Sequence, residues 1–176
     1  DYGNAAGDAG KVTIIQFFTG TDGEWYSTND VLTAGVRNEI GISYDASSTS
    51  NNPILYINGA SVAVTRRTAP TGTMQTGAST LFLGSAGAAS PNGKVLSCNY
   101  HGVILTPSEF SDSYNSKLSV SNRRGIVFSP ALWKVSDGTV LGSSNIIRDS
   151  ITGNIGTPSG SPIGRGDNQL TYEGMI

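Results

Sequence analysis

The sequence is poor in the residues that build disulfide frameworks and metal centres. Cys98 is its only cysteine and His101 its only histidine among 176 residues. A single thiol cannot form an intrachain disulfide, and a zinc site needs several converging thiolate or imidazole ligands. We therefore expect neither a disulfide-stapled fold nor a zinc centre, and we expect Cys98 to be a buried, unreactive thiol.

Charge and long apolar runs are scarce as well. Charged residues make up 14% of the chain and the formal net charge is −2, whereas soluble domains average about 25% charged residues. A nucleic-acid footprint needs clustered lysine and arginine, and crossing a bilayer needs a run of about 18 apolar residues. We therefore expect no nucleic-acid partner and no membrane insertion.

The sequence does contain short apolar runs bounded by glycine, serine, threonine and asparagine. Short runs of this kind, with almost no helical periodicity, predict an all-β domain of two sheets packed face to face. The runs lie at 11–20, 36–45, 53–64, 79–85 and 93–105.

Two of these runs carry more detailed expectations. The run at 11–20 is rich in β-branched and aromatic residues, which favours a strand buried on both faces. The run at 36–45 places Val36, Ile40, Ile42 and Tyr44 on one parity, which predicts a half-buried strand.

Two local motifs predict turns. Asn58 and Gly59 separate two apolar halves of 53–64, and this pair is preferred in a type I′ hairpin because both central residues need positive φ. Thr106, Pro107 and Glu109 form a capping box with proline at the first helical position. The polar residues that follow predict only a short helical turn near 106–112.

Three stretches together resemble the concanavalin A-like lectin/glucanase superfamily, in its laminin-G-like and pentraxin-like members. Residues 39–63 resemble the family's strand, variable loop and hairpin, "LFLGS" at 81–85 resembles the next strand, and 93–110 resembles a strand that ends in a capped turn. The resemblance implies a jelly-roll β-sandwich of two curved antiparallel sheets over 1–176. Calcium and glycans often bind at the sheet rim in this family.

The family's opening section resembles residues 136–176, at the end of this chain. The domain is then permuted, and its closing strand, with Leu170, Tyr172, Met175 and Ile176, needs a neighbour. We expect that neighbour to be the strand near 11–18, either in the same sandwich or in the next copy by strand exchange. A chance resemblance in a segment rich in glycine and serine is the alternative.

The family's glucanases carry three carboxylates on one strand in the pattern acid-x-acid-x-x-acid. This motif is absent here, since glutamate occurs only at positions 24, 39, 109 and 173. We therefore expect no enzymatic activity, and a glycoside hydrolase is the least favoured function.

The segment 19–30 is the best ligand-binding candidate. Trp25 or Tyr26 could stack on a sugar, while Asn29 and Asp30 could bind its hydroxyl groups. Asp22 and Asp30 could also supply oxygen ligands to calcium. The alternative is that Trp25 packs into the edge of the sandwich.

These observations favour a non-catalytic structural and adhesion module of a viral (phage virion) or bacterial surface assembly. Its partners would be copies of itself or other assembly subunits, and its location extracellular, on a cell surface or in a virion. A carbohydrate-binding, lectin-like module is the alternative, and calcium is the one cofactor that we consider.

Overall fold

The fold is all-β, as the short apolar runs predict. The computed structural model describes residues 10–75, 94–95, 98–115, 125–128, 147–148, 155–156, 162–165 and 169–172. Within them, every strand pairing is antiparallel and a single helix occurs. The expected strand at 79–85 lies outside the described residues.

The chain divides into two compact units. Unit 1 comprises Asp1–Ala78 and Ile104–Arg123, and unit 2 comprises Ser79–Val103 and Arg124–Ile176. The single sandwich over 1–176 stays a prediction.

Unit 1 contains two three-stranded sheets and the helix α1. The first sheet has the strand order β1–β2–β6 and the second has the order β3–β4–β5. The bounds are β1 Thr13–Gln16, β2 Gly23–Ser27, β3 Ile40–Ser43, β4 Ile54–Ile57, β5 Ala60–Val62, β6 Val64–Thr68 and α1 Pro107–Asn115. The two sheets share one hydrophobic cluster formed by Val12, Ile14, Trp25, Leu55 and Ile57.

The first sheet has one buried face and one outer face. Val12 and Ile14 point into the hydrophobic cluster, because successive side chains of a strand point to opposite sides. Ile15 and Phe17 follow them in sequence on the opposite parity and are about half exposed. The expectation that 11–20 is buried on both faces is therefore wrong.

The second sheet is buried on both faces at its central strand, β4. Leu55 and Ile57 pack into the hydrophobic cluster, while Tyr56 points to the opposite face. There the ring of Tyr56 stacks on Phe110 of α1, with centroids 4.0 Å apart and planes 15° apart. Helix α1 therefore covers the face of β4 that the first sheet does not cover.

Part of the run at 36–45 forms β3, but the apolar side chains of the run are only partly buried. Ile40 pairs with Ile57 and Ile42 pairs with Leu55, so these side chains share a face with the core residues of β4. Both are half exposed, because β3 lies at the end of its sheet order. Val36 precedes the strand and is exposed as well.

The Asn58-Gly59 turn is confirmed. Ile57 pairs with Ala60 across it, and φ is 54° at Asn58 and 80° at Gly59, as a type I′ turn requires. The Asn58 side chain also accepts a hydrogen bond from the backbone N–H of Glu39 at 2.8 Å. The turn thus fixes the hairpin and ties its tip to the segment before β3.

The capping box of α1 is also confirmed. The N–H of Thr106 donates to the Glu109 carboxylate at 2.6 Å, and the N–H of Glu109 donates to the Thr106 hydroxyl at 3.3 Å. The helix runs to Asn115 and is longer than the turn expected near 106–112. Tertiary contact explains the extra length, because Phe110 stacks on β4 and stabilises a helix of weak intrinsic propensity.

Unit 2 consists, in its described part, of short strands in small sheets. The strand orders are β12–β13–β7, β10–β11 and β8–β9. The bounds are β7 Lys94–Val95, β8 Tyr100–His101, β9 Ile126–Phe128, β10 Ile147–Arg148, β11 Ile155–Gly156, β12 Pro162–Arg165 and β13 Gln169–Tyr172. Cys98 lies just before β8, and burial raises the pKa of its thiol, in keeping with an unreactive cysteine.

The closing segment forms a strand, but not beside the expected neighbour. In β13, Leu170 pairs with Gly164 of β12 on one side and with Val95 of β7 on the other. Two strands of unit 2 therefore occupy both sides of β13. This corrects the expectation that, within one chain, the closing strand pairs with the strand near 11–18. Met175 and Ile176 lie outside the described residues.

The Asn58 turn can be tested with two substitutions. We expect Asn58→Ala to lower the free energy of unfolding by about 2 kcal/mol, because alanine is strained at positive φ and cannot accept the Glu39 hydrogen bond. Asn58→Gly loses only the hydrogen bond and should therefore be less destabilising. Urea unfolding measures both, and an Asn58→Ala variant as stable as the parent would contradict this role.

Candidate functional site

Trp25 lies in the core rather than at a ligand surface. Its side chain is 0% exposed and belongs to the hydrophobic cluster. The indole Nε1–H donates to the Asn52 side-chain oxygen at 2.8 Å, and the ring lies 5.4 Å from that of Tyr44. Trp25 lies on the side of β2 that faces the core, so its ring is buried. This corrects the prediction that Trp25 stacks on a sugar.

A short chain of hydrogen bonds holds the indole N–H. The Asn52 oxygen that accepts from Trp25 also accepts from Arg66 Nε at 2.8 Å. Arg66 Nη2 in turn donates to the backbone oxygen of Ser50 at 2.7 Å. Arg66 therefore fixes the loop before β4, and its guanidinium is part of the structural framework.

Tyr44 leaves one polar atom of this region unsatisfied. Its hydroxyl oxygen is buried and has no hydrogen-bond partner in the part of the chain that the structure describes. Burial raises the pKa of the Tyr44 hydroxyl, while the nearby positive charge of Arg66 partly opposes this. Tyr44 thus stays protonated to a higher pH in the folded protein than in the unfolded chain.

Asp22 and Asp30 do not form one calcium site. They lie beyond opposite ends of β2, and a strand of this length alone spans about 13 Å. Ligands of one calcium ion all lie within about 2.6 Å of it, so the two carboxylates cannot share an ion. Asp22 instead accepts a hydrogen bond from the N–H of Phe18 at 2.9 Å and closes the β1–β2 turn.

Asn29 and Asp30 lie in the exposed segment that follows β2. The backbone oxygen of Asn29 accepts a hydrogen bond from the Ser27 hydroxyl at 2.8 Å. Their role as glycan contacts stays a prediction. Among the described residues, no three histidine, cysteine, aspartate or glutamate side chains converge as metal ligands.

Tyr26 lies on the outer face of the first sheet, between two cations. The Arg67 guanidinium carbon lies 4.7 Å from the centroid of its ring, and the Lys11 Nζ lies 5.3 Å from it. Arg67 also forms an ion pair with Glu24 at 2.8 Å. We call this surface the Tyr26 face, and it consists of Lys11, Thr13, Ile15, Glu24, Tyr26, Thr65 and Arg67.

The strand register explains why these side chains meet. Tyr26 pairs with Thr13 of β1 and with Thr65 of β6, so all three point outward together. A β-bulge between Glu24 and Trp25 places one extra residue of β6 at Arg67. The bulge lets Arg67 reach Glu24 and Tyr26, because it shifts the alternation of β6 locally.

The sequence identified Tyr26 but missed Lys11 and Arg67. The parity of the run at 11–20 indicates that Lys11 shares a face with Thr13 and Ile15. No local signal indicates that β6 pairs with β2 or that the bulge occurs at Arg67, because both depend on contacts between distant segments.

In comparisons with known proteins, no family model, no curated protein and no solved structure matches this chain. Its resemblance to laminin-G-like domains therefore remains an expectation from the sequence. Separately, the described residues include no helix long and apolar enough to span a membrane.

The unsatisfied hydroxyl of Tyr44 gives a pH-dependent prediction. Because its pKa is raised on folding, its contribution to the unfolding free energy is present below about pH 10 and is lost as the pH rises further. We expect Tyr44→Phe to be as stable as the parent or more stable at neutral pH, since phenylalanine buries no unpaired polar atom. We also expect it to lose less stability between about pH 9 and pH 11.

The matched control is Tyr100→Phe, which removes a hydroxyl from an exposed tyrosine. Chemical denaturation at each pH gives the unfolding free energies. A Tyr44→Phe variant clearly less stable than the parent at neutral pH would show that the hydroxyl has a partner after all.

Proposed function

We propose that the chain is a non-catalytic structural and adhesion module, a laminin-G-like jelly roll within a larger extracellular, bacterial-surface or virion assembly. The observation that supports this is a set of three uncharged strands of unit 1 that carry exposed apolar side chains. β1, β3 and β4 contain no charged residue. Four of their isoleucines are nevertheless accessible, with Ile15 48%, Ile40 48%, Ile42 47% and Ile54 49% exposed.

Uncharged strands with exposed apolar side chains are typical of interaction surfaces. Proteins that stay monomeric usually protect exposed strands with charged side chains, especially lysine. In the first sheet, β2 carries Glu24 and β6 carries Arg66 and Arg67, whereas no strand of the second sheet carries a charged residue. Exposed apolar groups concentrated on the uncharged strands favour association with other subunits or with further copies of the chain.

The closing strand gives this proposal a second form. In one chain, β13 pairs with β12 and β7. Strand exchange would move Leu170 and Tyr172 into a neighbouring copy, where they would pair as an added strand. A subunit joined in this way would be a link in a continuous assembly.

A carbohydrate-binding module is the second candidate, and the Tyr26 face favours it. The face combines an aromatic side chain, charged groups and threonine hydroxyls on one side of the first sheet. Such combinations bind sugars through apolar contact and hydrogen bonds together. The ligand surface is then the outer face of the first sheet. Of the segment 19–30, it includes Glu24 and Tyr26 but not Trp25.

Self-association can be tested by placing a charge on the uncharged strands. We expect the molar mass of the parent, measured by light scattering, to rise above that of one chain as the concentration increases. Ile15→Lys or Ile42→Lys should weaken the association tenfold or more, because each buries an unpaired charge in the contact.

Ser61→Lys is the matched control, since it adds the same charge at an exposed strand position without removing an apolar group. A parent that stays at the mass of one chain at every concentration would contradict association through copies of itself. Equal effects of all three substitutions would show that overall charge, and not these strands, controls the association.

A further inference from the structure

We infer that Asn58-Gly59 is a deamidation site, which the folded turn protects and which reacts when the β4–β5 hairpin opens. The modification converts the neutral side-chain amide of Asn58 into a carboxylate, and water is its only co-reactant. The inference is independent of both proposed functions, because it concerns the hairpin turn and neither the uncharged strands nor the Tyr26 face.

The reaction joins the side chain of Asn58 to the backbone of Gly59. The Gly59 nitrogen attacks Cγ of Asn58, and the Cγ–Nδ2 bond breaks. The amide nitrogen leaves as ammonia and takes up the proton that the Gly59 nitrogen loses, with water as the relay. Water then opens the succinimide ring. Breaking the new Cγ–N bond gives aspartate, whereas breaking the original backbone C–N bond gives isoaspartate.

The glycine makes this asparagine a candidate. Glycine has no side chain to shield its backbone nitrogen, and it adopts backbone angles that other residues avoid. Among the asparagines of the chain, only Asn58 and Asn92 precede a glycine. Asn92 lies outside the described residues, so it provides a reference with the same dipeptide for the unfolded chain.

The conformation of the turn keeps the two reacting atoms apart. Asn58 has a φ of 54°, and ψ at the first central residue of a type I′ turn is about +30°. At this ψ the Gly59 nitrogen lies almost opposite the Asn58 Cβ about the Cα–C bond, whereas the succinimide ring needs both atoms on the same side. The backbone therefore has to rotate out of the turn before the ring can form.

Two hydrogen bonds to Glu39 hold Asn58 in this unreactive conformation. The N–H of Glu39 donates to the side-chain oxygen of Asn58 at 2.8 Å, and the N–H of Asn58 donates to the backbone oxygen of Glu39 at 2.9 Å. Both the amide that reacts and the backbone that has to rotate are thus tied to the segment before β3.

Helix α1 restrains the turn as well. A Cβ atom at Gly59 would lie 2.9 Å from the Ser111 Cα and 3.2 Å from the Tyr114 Cβ, so the helix lies directly against the turn. Phe110 of the same helix stacks on Tyr56 of β4. The tip of the hairpin therefore opens when α1 moves away, and the packing of Phe110 controls how often this local opening occurs.

The isoaspartate product prevents the same turn from closing again. Its main chain runs through the former side chain and contains one additional carbon atom. Ile57 and Ala60, which pair across the two-residue turn, then no longer meet in type I′ geometry. A chain that has been open for long enough therefore loses this hairpin permanently.

Deamidation can be measured on the full chain in mildly alkaline buffer, with and without denaturing urea. Mass spectrometry of the tryptic peptides 38–66 and 68–94 follows Asn58 and Asn92 separately. We expect Asn58 to react at least tenfold more slowly in buffer than in urea, because the folded turn has to open first. In urea, Asn58 and Asn92 should react at rates within about threefold of each other, since both precede glycine.

Substitutions test the role of α1. Phe110→Ala should speed deamidation of Asn58 in buffer about threefold or more and leave the rate in urea unchanged, because it removes the stack on Tyr56. Phe17→Ala is the matched control, since it removes an exposed phenyl ring from the first sheet, and it should leave both rates unchanged. If Phe110→Ala does not fold, the parent in urea below its unfolding transition replaces it. Its rate should stay nearly constant there, because local opening exposes little surface.

Each contrary outcome overturns a stated part of the inference. If Asn92 reacts in urea and Asn58 does not, Asn58 is not a deamidation site. Equal rates of Asn58 in buffer and in urea would show that the turn gives no protection. A folded Phe110→Ala variant with the parent's rate, or a parent rate that rises steeply at low urea, would show that α1 does not control the opening.

Discussion

The burial of one indole constrains much of unit 1. Trp25 fills the space between the two sheets, and its N–H needs an acceptor in a place that water does not reach. Asn52 supplies that acceptor and is itself held by Arg66. Gly23 has to be a glycine, because a Cβ atom there would overlap the Trp25 ring. A loop, a strand and a hydrophobic cluster thus depend on the position of a single side chain.

Adjacent residues of β2 face opposite sides of the first sheet. Trp25 and Tyr26 are neighbours in sequence, and the alternation of the strand sends one into the core and the other to the outer face. The aromatic pair that indicates a ligand site in the sequence is therefore split. Trp25 is buried, whereas Tyr26 lies on the outer face with surroundings from β1 and β6.

Features that depend on neighbouring residues could be predicted from the sequence. The Asn58-Gly59 turn and the Thr106–Glu109 capping box are closed by bonds within a few residues, so their chemistry is visible locally. The pairing of β13 with β7, the length of α1 and the Tyr26 face could not be predicted in this way. Each depends on contacts across many residues, which local propensity does not encode.

The stacking of Phe110 on Tyr56 can form only after both segments of the chain have been synthesised. The β4–β5 hairpin leaves the ribosome long before α1, although both belong to unit 1. Until the helix emerges, the aromatic ring of Tyr56 and the surface around Gly41 have no cover from Phe110. Contacts between segments that are distant in sequence form slowly. A nascent chain that pauses before α1 would therefore expose this apolar surface to chaperones and to other nascent chains.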